Sequence, residues 1–206
     1  MTTLGPTARS TVPVRVQTDQ RFTQLASFGR HTCGLTAAGK IWCWGYNGWG
    51  ALGAGSALGQ SAVPLPVAPE RTFRTLTTGG EHGCAIEQVT HAAWCWGNGA
   101  WGQLGVGTTA SSSVPVRVNV GTPFAAIDAG GNFTCATALT GAAYCWGSNP
   151  WGQLGNGGQI SYGNTFSPVP ITVTGGHSFS AITAGSHFAC GVTQAGAAWC
   201  WGANGG

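Results

Sequence analysis

Eight cysteines fall in four close pairs, and the pairs recur at a fixed period. They are Cys33/Cys43, Cys84/Cys95, Cys135/Cys145 and Cys190/Cys200, with first members 51, 51 and 55 residues apart. The second cysteine of each pair lies inside WCWG or YCWG. Each is preceded by a Pro-Val segment (VPVRV, VPLPV, VPVRV or PVPITV), or matches one, and by Phe22, Phe73, Phe124 or Phe179. A chain of 206 residues with this internal period is an array of about four similar units, each stabilised by packing on its neighbours.

The units read as strands. Only 6% of the residues are charged, against 43% hydrophobic, with 36 Gly and 10 Trp. Helix surfaces carry many Lys, Glu and Arg, whereas Gly, Thr, Ser and Trp in this proportion indicate strands joined by tight turns. The fold class is all-β.

Hairpin arithmetic supports pairing within each unit. If Cys33 faces Cys43, Thr36 faces Lys40 and the loop is Ala37-Ala38-Gly39, a three-residue loop with Gly at the position that takes positive φ. Cys135/Cys145 gives Leu139-Thr140-Gly141 and Cys190/Cys200 gives Gln194-Ala195-Gly196, so three turns agree. Cys84/Cys95 needs a four-residue loop, Gln88–His91, without Gly. Cysteines at such close cross-strand positions suit disulfides and imply an oxidising compartment. The competing readings are zinc, suggested by His31-x-Cys33 and His82-x-Cys84, and reduced, buried thiols. Zinc is disfavoured because ligands normally come as close CxxC pairs and the other two units carry Phe133 and Phe188 at the histidine position.

The stretches GRHTCGLTAAGKIWCWGYNGWGALG, GEHGCAIEQVTHAAWCWGNGAWGQLG, GNFTCATALTGAAYCWGSNPWGQLG and GSHFACGVTQAGAAWCWGANGG resemble the repeats of the regulator-of-chromosome-condensation family. That resemblance covers nearly the whole chain and implies a β-propeller of four-stranded blades. It also implies that His31 and His82 are structural histidines serving backbone groups. Family members generally have seven blades and this chain supplies four units, roughly 17–67, 68–118, 119–173 and 174–206. The last is completed by residues 1–16, whose TTLGPTARSTVPVRV matches LGVGTTASSSVPVRV. An N-terminal strand that closes the last blade, a partial ring that completes itself with another copy, and a piece of a longer array all fit these ends. The family's founding activity, nucleotide exchange on the Ran GTPase with chromatin binding, is not expected, because no long insertion separates the units.

Function is read from the sites rather than the fold. The carboxylates are Asp19, Glu70, Glu81, Glu87 and Asp128, at non-equivalent positions, so no acid/base pair is formed and the chain is not expected to be an enzyme. Gly34–Lys40 mimics the start of a phosphate loop, but Ile41 replaces the required Ser/Thr and the segment is a hairpin. No metal or cofactor is expected. The net charge of +3 is scattered, without a Lys/Arg cluster for nucleic acid, and no apolar run is long enough to cross a bilayer.

Aromatics fill three repeated slots. Trp42, Trp94, Tyr144 and Trp199, with Trp44, Trp96, Trp146 and Trp201, are expected in the core between units. Trp49, Trp101 and Trp151 lie in the following loops beside Asn47, Asn98 and Asn149, and these six are the candidate ligand-binding residues. The expected role is a non-catalytic scaffold, extracellular or at the cell surface, binding a protein partner through its loops. The alternatives are a lectin with one shallow glycan site per unit and a homo-oligomer that completes a larger ring.

Overall fold

The computed structural model of the protein describes residues 10–158 and 165–203. Within them lie four antiparallel sheets. The first contains β1 (Phe22–Phe28), β2 (His31–Thr36), β3 (Ile41–Tyr46) and β4 (Gln60–Val67) in that order. The second contains β5 (Phe73–Thr78), β6 (His82–Glu87), β7 (Ala93–Gly97) and β8 (Ser112–Arg117); the third contains β9 (Phe124–Ala129), β10 (Phe133–Ala138), β11 (Ala143–Ser148) and β12 (Phe166–Thr172). The fourth has three strands, β13 (Phe179–Ala184), β14 (Phe188–Thr193) and β15 (Ala198–Gly202). This is the meander of a propeller blade, repeated.

The turns set the register. Gly39 at φ 75° follows Ala37-Ala38, and Thr36 N–H donates to Lys40 O at 2.9 Å, as the hairpin arithmetic requires. The longer second loop has no Gly, and His91 takes the positive φ (58°) itself. Cysteines face each other in all four hairpins, and all four pairs are disulfide-bonded, with Cα–Cα distances of 4.0–4.1 Å.

Each sheet packs on the next through its second strand and the innermost strand of its neighbour: β2 on β5, β6 on β9, β10 on β13. Cys33, Leu35, Cys43 and Val67 meet Phe73, Leu76 and Trp96 across the first interface. Every blade-to-blade seam adds the same hydrogen bond. The indole of Trp96 donates to Ala51 O, that of Trp146 to Gln103 O and that of Trp201 to Gln153 O, at 2.9–3.0 Å. Trp96 and Trp146 are fully buried. The expectation of eight core aromatics is corrected for the other six: Trp42, Trp44, Trp94, Tyr144 and Trp201 are half-buried, with Trp94, Tyr144 and Trp201 packed against the core, and Trp199 is exposed. Trp94 and Trp199 have a polar covering group. The Arg71 guanidinium lies 3.7 Å over Trp94, and the His177 ring stacks on Trp199 at 3.8 Å.

The four blades form an open arc. Leu25 is 61% exposed, although its counterparts Leu76 and Ile127 are 2% and 7% exposed. At the other end Phe188 is 44% and Val192 40% exposed, against 0% for Phe133 and Ile86 at the same positions. Fully covered sites at the middle blades become bare at the ends, so the first and fourth blades do not cover each other. Residues 12–16 form no strand and the fourth sheet has three strands among the described residues. Residues 10–16, the described part of the N-terminal segment expected to complete the last blade, do not pair with β15. Val16 instead lines a cleft with Phe22, Leu25 and Trp44 on the first blade, at the far end of the arc from β15. Residues 1–9 and 204–206 lie outside the described residues.

Candidate functional site

The loops after β3, β7 and β11 build one repeated feature. Each follows a strand whose last or next-to-last residue is a Gly with positive φ: Gly45, Gly97 and Gly147, at 105°, 98° and 103°. A Cβ on Gly97 would lie 2.4 Å from Glu81 O, so only Gly lets the chain turn there. The Asn that follows folds the loop. Asn47 Nδ2 donates to Leu58 O (2.6 Å) and Ser56 O (3.1 Å), while its Oδ1 accepts from Leu52 N–H at 3.0 Å. Asn149 Oδ1 accepts from Leu154 N–H at 3.0 Å. Asn98 stands one residue earlier relative to its cysteine. It bonds Ala100 N–H at 2.8 Å and reaches Glu81 Oε2 at 3.2 Å. The three amides are 7–8% exposed and committed to their own loops.

The indoles behave differently. Trp49, Trp101 and Trp151 are 60%, 43% and 55% exposed. They stand at the same position of three successive repeats and hence on one rim of the arc. Trp151 touches the His187 ring edge-on, at 6.3 Å between centroids, which places this rim beside the turns that join the first two strands of each next blade. Sequence reasoning missed the clamp beneath them. Gln103 Oε1 accepts the Trp101 N–H and Gln153 Oε1 the Trp151 N–H, at 2.8 and 2.9 Å, with both glutamines essentially buried. The recurrent WGQLG was its signal. In the first blade Ala51 replaces the glutamine, and Trp49 adopts φ 58° inside the 3₁₀ turn Gly48–Gly50, a conformation that costs a non-Gly residue roughly 1–2 kcal/mol.

The two buried histidines are the other polar feature of the seams. His82 Nε2 lies 3.0 Å from Thr134 Oγ1. That hydroxyl donates to Gln103 O at 3.0 Å, so Nε2–H must be the donor and Nδ1 the bare nitrogen. Nδ1 of His82 and Nε2 of His31 are buried without partners. The expected service to backbone groups is thus replaced, at His82, by a bond to a side chain of the next blade. Burial pushes His31 down to about 4. Burial and the nearby His31 push His82 down to about 3. Both rings are neutral at physiological pH. Among the described residues no three His, Cys, Asp or Glu side chains converge to hold a metal. Glu87 pairs with Arg71 at 2.8 Å, and Asp128 bonds Thr77 and Thr183.

Comparison with known proteins fits this architecture. The sequence profile of the Regulator of chromosome condensation (RCC1) repeat matches residues 38–86, 91–137 and 140–192. The chain is 32% identical over 93 residues to the Ultraviolet-B receptor UVR8 of Arabidopsis thaliana, covering 45% of this chain and 21% of the receptor. It is 35% identical over 111 residues to the mitochondrial RCC1 domain-containing protein RUG3 of the same plant, covering 52% of this chain and 24% of that protein. Prp20p of Saccharomyces cerevisiae, solved in a study of its binding to Gsp1p and histones, superposes with a TM-score of 0.78 at 23% identity, over 93% of this chain and 47% of its own. The chain thus spans less than a quarter of these curated relatives and about half of the solved one. By its repeats and its blades, the chain belongs to the RCC1 repeat family.

Proposed function

We propose that this chain is a non-catalytic propeller segment that binds a protein partner, in an extracellular or cell-surface setting, through the rim carrying Trp49, Trp101 and Trp151. One observation carries the reading: three large aromatics are held half-bare on loops whose asparagines are turned inward into hydrogen bonds of their own. Rigid exposed indoles anchor protein interfaces because they bury much area for little lost conformational freedom. The strained Trp49 backbone supports it, since strain is retained where position matters. Four disulfides favour an oxidising compartment. Binding of Gsp1p and histones by the yeast relative is a precedent for a protein ligand.

A glycan site on the same loops would need free polar groups beside the indoles, and the asparagines are turned into their own loops. The discriminating experiment compares the wild-type chain with a W49A/W101A/W151A variant on an array of extracellular proteins and on a glycan array. Protein binding lost in the variant supports the reading. Glycan binding with a silent protein array would replace it with a lectin.

A second reading has its own observation. Leu25 at one end of the arc and Phe188 and Val192 at the other are bare where the middle blades are covered, faces that a neighbouring blade, of a longer array or of a second copy, would cover.

A further inference from the structure

We propose that the cleft between the hairpin ends of the first two blades receives a carboxylate side chain, Glu or Asp, of a protein segment, with the Arg74 guanidinium as its anchor. The site lies on the rim opposite Trp49, Trp101 and Trp151 and goes beyond the reading built on them.

The cleft, of about 330 Å³, lies between the turn Thr36–Gly39 of the first blade and Thr72, Arg74 and Gln88 of the second. Its walls are held by backbone bonds: Phe73 N–H donates to Gly39 O at 2.8 Å and Gln88 N–H to Thr72 O at 2.9 Å. A site fixed before its ligand arrives loses little freedom on binding. The lining also offers donors. Thr36 Oγ1 accepts the Lys40 N–H at 3.1 Å, which leaves its own O–H to donate. The N–H groups of Ala37 and Ala38 in the same turn have no acceptor among the described residues.

Arg74 is a cation without a counter-charge. Its Nη1 contacts the His91 ring, 2.9 Å from Nδ1 and 3.3 Å from Nε2, and an imidazole nitrogen that accepts from it brings no negative charge. Nη2 and Nε have no partner among the described residues. The carboxylates of this rim are already taken: Glu87 by Arg71 at 2.8 Å and by the Thr90 hydroxyl, Glu70 by Arg71 at 3.6 Å. A guanidinium with an open fork is matched by a carboxylate, which accepts two parallel bonds from it. His91 steadies the head from a loop in which it holds φ 58°, a strain retained where position matters. The other blades carry Thr23, Ala125 and Ser180 at this position, and the Thr23 and Ser180 hydroxyls donate to Leu35 O and Val192 O at 3.2 and 3.0 Å. The site therefore occurs once among the four blades. A run of phosphates is a poorer match, because it needs several free cations. Lys40 Nζ is committed to Pro69 O and Arg71 O at 2.7 and 2.8 Å, and Arg71 to Glu87 and the face of Trp94. One free guanidinium in a cleft suits one carboxylate.

The test titrates the isotopically labelled full chain with the acetylated, amidated peptide Gly-Ser-Glu-Ser-Gly, its glutamine counterpart, inorganic phosphate and a short DNA duplex, following the NMR signals of the Ala37 and Ala38 amides and the Arg74 Nε–H. Saturable shifts with the glutamate peptide are expected, with affinity at least tenfold weaker for the glutamine peptide and at least tenfold weaker in Arg74→Ala. The W49A/W101A/W151A variant should bind the glutamate peptide as the wild type does, and affinity should fall as salt is raised. Silence at the cleft, or equal binding by Arg74→Ala, overturns the site. Phosphate or DNA that moves the same signals at least as tightly as the glutamate peptide overturns the assignment to an acidic protein segment. If Arg74→Ala fails to fold, the comparison of the two peptides on the unmodified chain decides. The tryptophan variant on the protein array bears on the other rim alone, so the two readings fail separately.

Discussion

The hydroxyl of Thr77 donates to Oδ1 of Asp128 at 2.7 Å, from the innermost strand of the second blade to that of the third. The other carboxylate oxygen reaches on to the fourth blade, accepting from Thr183 Oγ1 at 3.0 Å and Ala184 N–H at 2.8 Å. The three residues stand at one repeat position, and the single carboxylate ties three blades at the inner edge of the arc. Thr77 Oγ1 also accepts Ala129 N–H at 3.1 Å, so hydroxyl and carboxylate form a closed set.

Replacing Asp128 with Ala removes the acceptor for both threonines. Hydrogen bonds to a charged group contribute about 1.5–3 kcal/mol each, discounted here because Asp128 and Thr183 are partly solvated. A loss of about 2 kcal/mol in urea unfolding is expected, with Asp128→Asn retaining part of it. Equal midpoints for D128A and wild type would show that the clamp contributes nothing.

Acid should loosen the seams through the two histidines. Both imidazoles have folded values, about 4 and about 3, below the ordinary 6.5. Below pH 6.5 the unfolded chain therefore binds protons that the folded chain refuses, and stability falls as pH drops. The slope is up to about 1.4 kcal/mol per pH unit for each ring, or roughly 4 kcal/mol for the pair at pH 5, and each contribution levels off below its folded value. The third blade shows what removes this dependence, since Phe133 fills the same site fully buried. A His31→Phe/His82→Phe variant is expected to have a flatter pH profile between 6.5 and 4, measured by urea midpoints. An unchanged profile would assign the acid sensitivity elsewhere.

The four bridges differ in access. Six cysteines, from Cys33 to Cys145, are fully buried, whereas Cys190 is half-buried and Cys200 exposed at the open end of the arc. Thiol–disulfide exchange needs the attacking thiolate to reach sulfur, so dithiothreitol acting on dilute native protein should open Cys190–Cys200 first, as read by alkylation and peptide mapping. The inner bridges should survive until the blades unfold. Replacing Cys84 and Cys95 together with Ala, which frees a loop of about ten residues, should lower stability by about 2–3 kcal/mol in the chain-entropy account. Uniform reduction of all four bridges without denaturant would contradict the burial pattern.

What the sequence reveals and what it hides divide by range. Cys33 against Cys43 and Gly39 at the turn are set within one hairpin, where the ladder alternation and the φ demand of the turn leave one register, and these were legible. The four-residue loop was legible in length, but not that His91 would take the positive φ without Gly. Thr77 and Asp128, 51 residues apart, meet through blade packing, and nothing in their local patterns marks them as partners. The asparagines looked like ligand groups because they sit beside tryptophans in every loop. Only the backbone path shows Asn47 turned inward while Trp49 is left outside.

The tryptophan loops also allow a test by transplantation. Asn47–Leu52 and Asn149–Leu154 have the same length and the same closing bond, from Leu52 or Leu154 N–H to the asparagine Oδ1, at 3.0 Å. They differ at Gly48, where the third blade has Pro150, and at Ala51, where it has Gln153 accepting the Trp151 N–H. Because Gln153 is 1% exposed in an equivalent setting, the site can hold the longer side chain with its oxygen aimed at the loop. Ala51→Gln is therefore expected to capture the Trp49 N–H, draw Trp49 out of φ 58° and raise stability by about 1 kcal/mol, the usual net value of one hydrogen bond. The φ change is read from the amide–Hα coupling of Trp49 and the stability from thermal unfolding. If the coupling stays that of a left-handed residue while stability falls, the strain at Trp49 is imposed by its neighbours rather than by the missing glutamine.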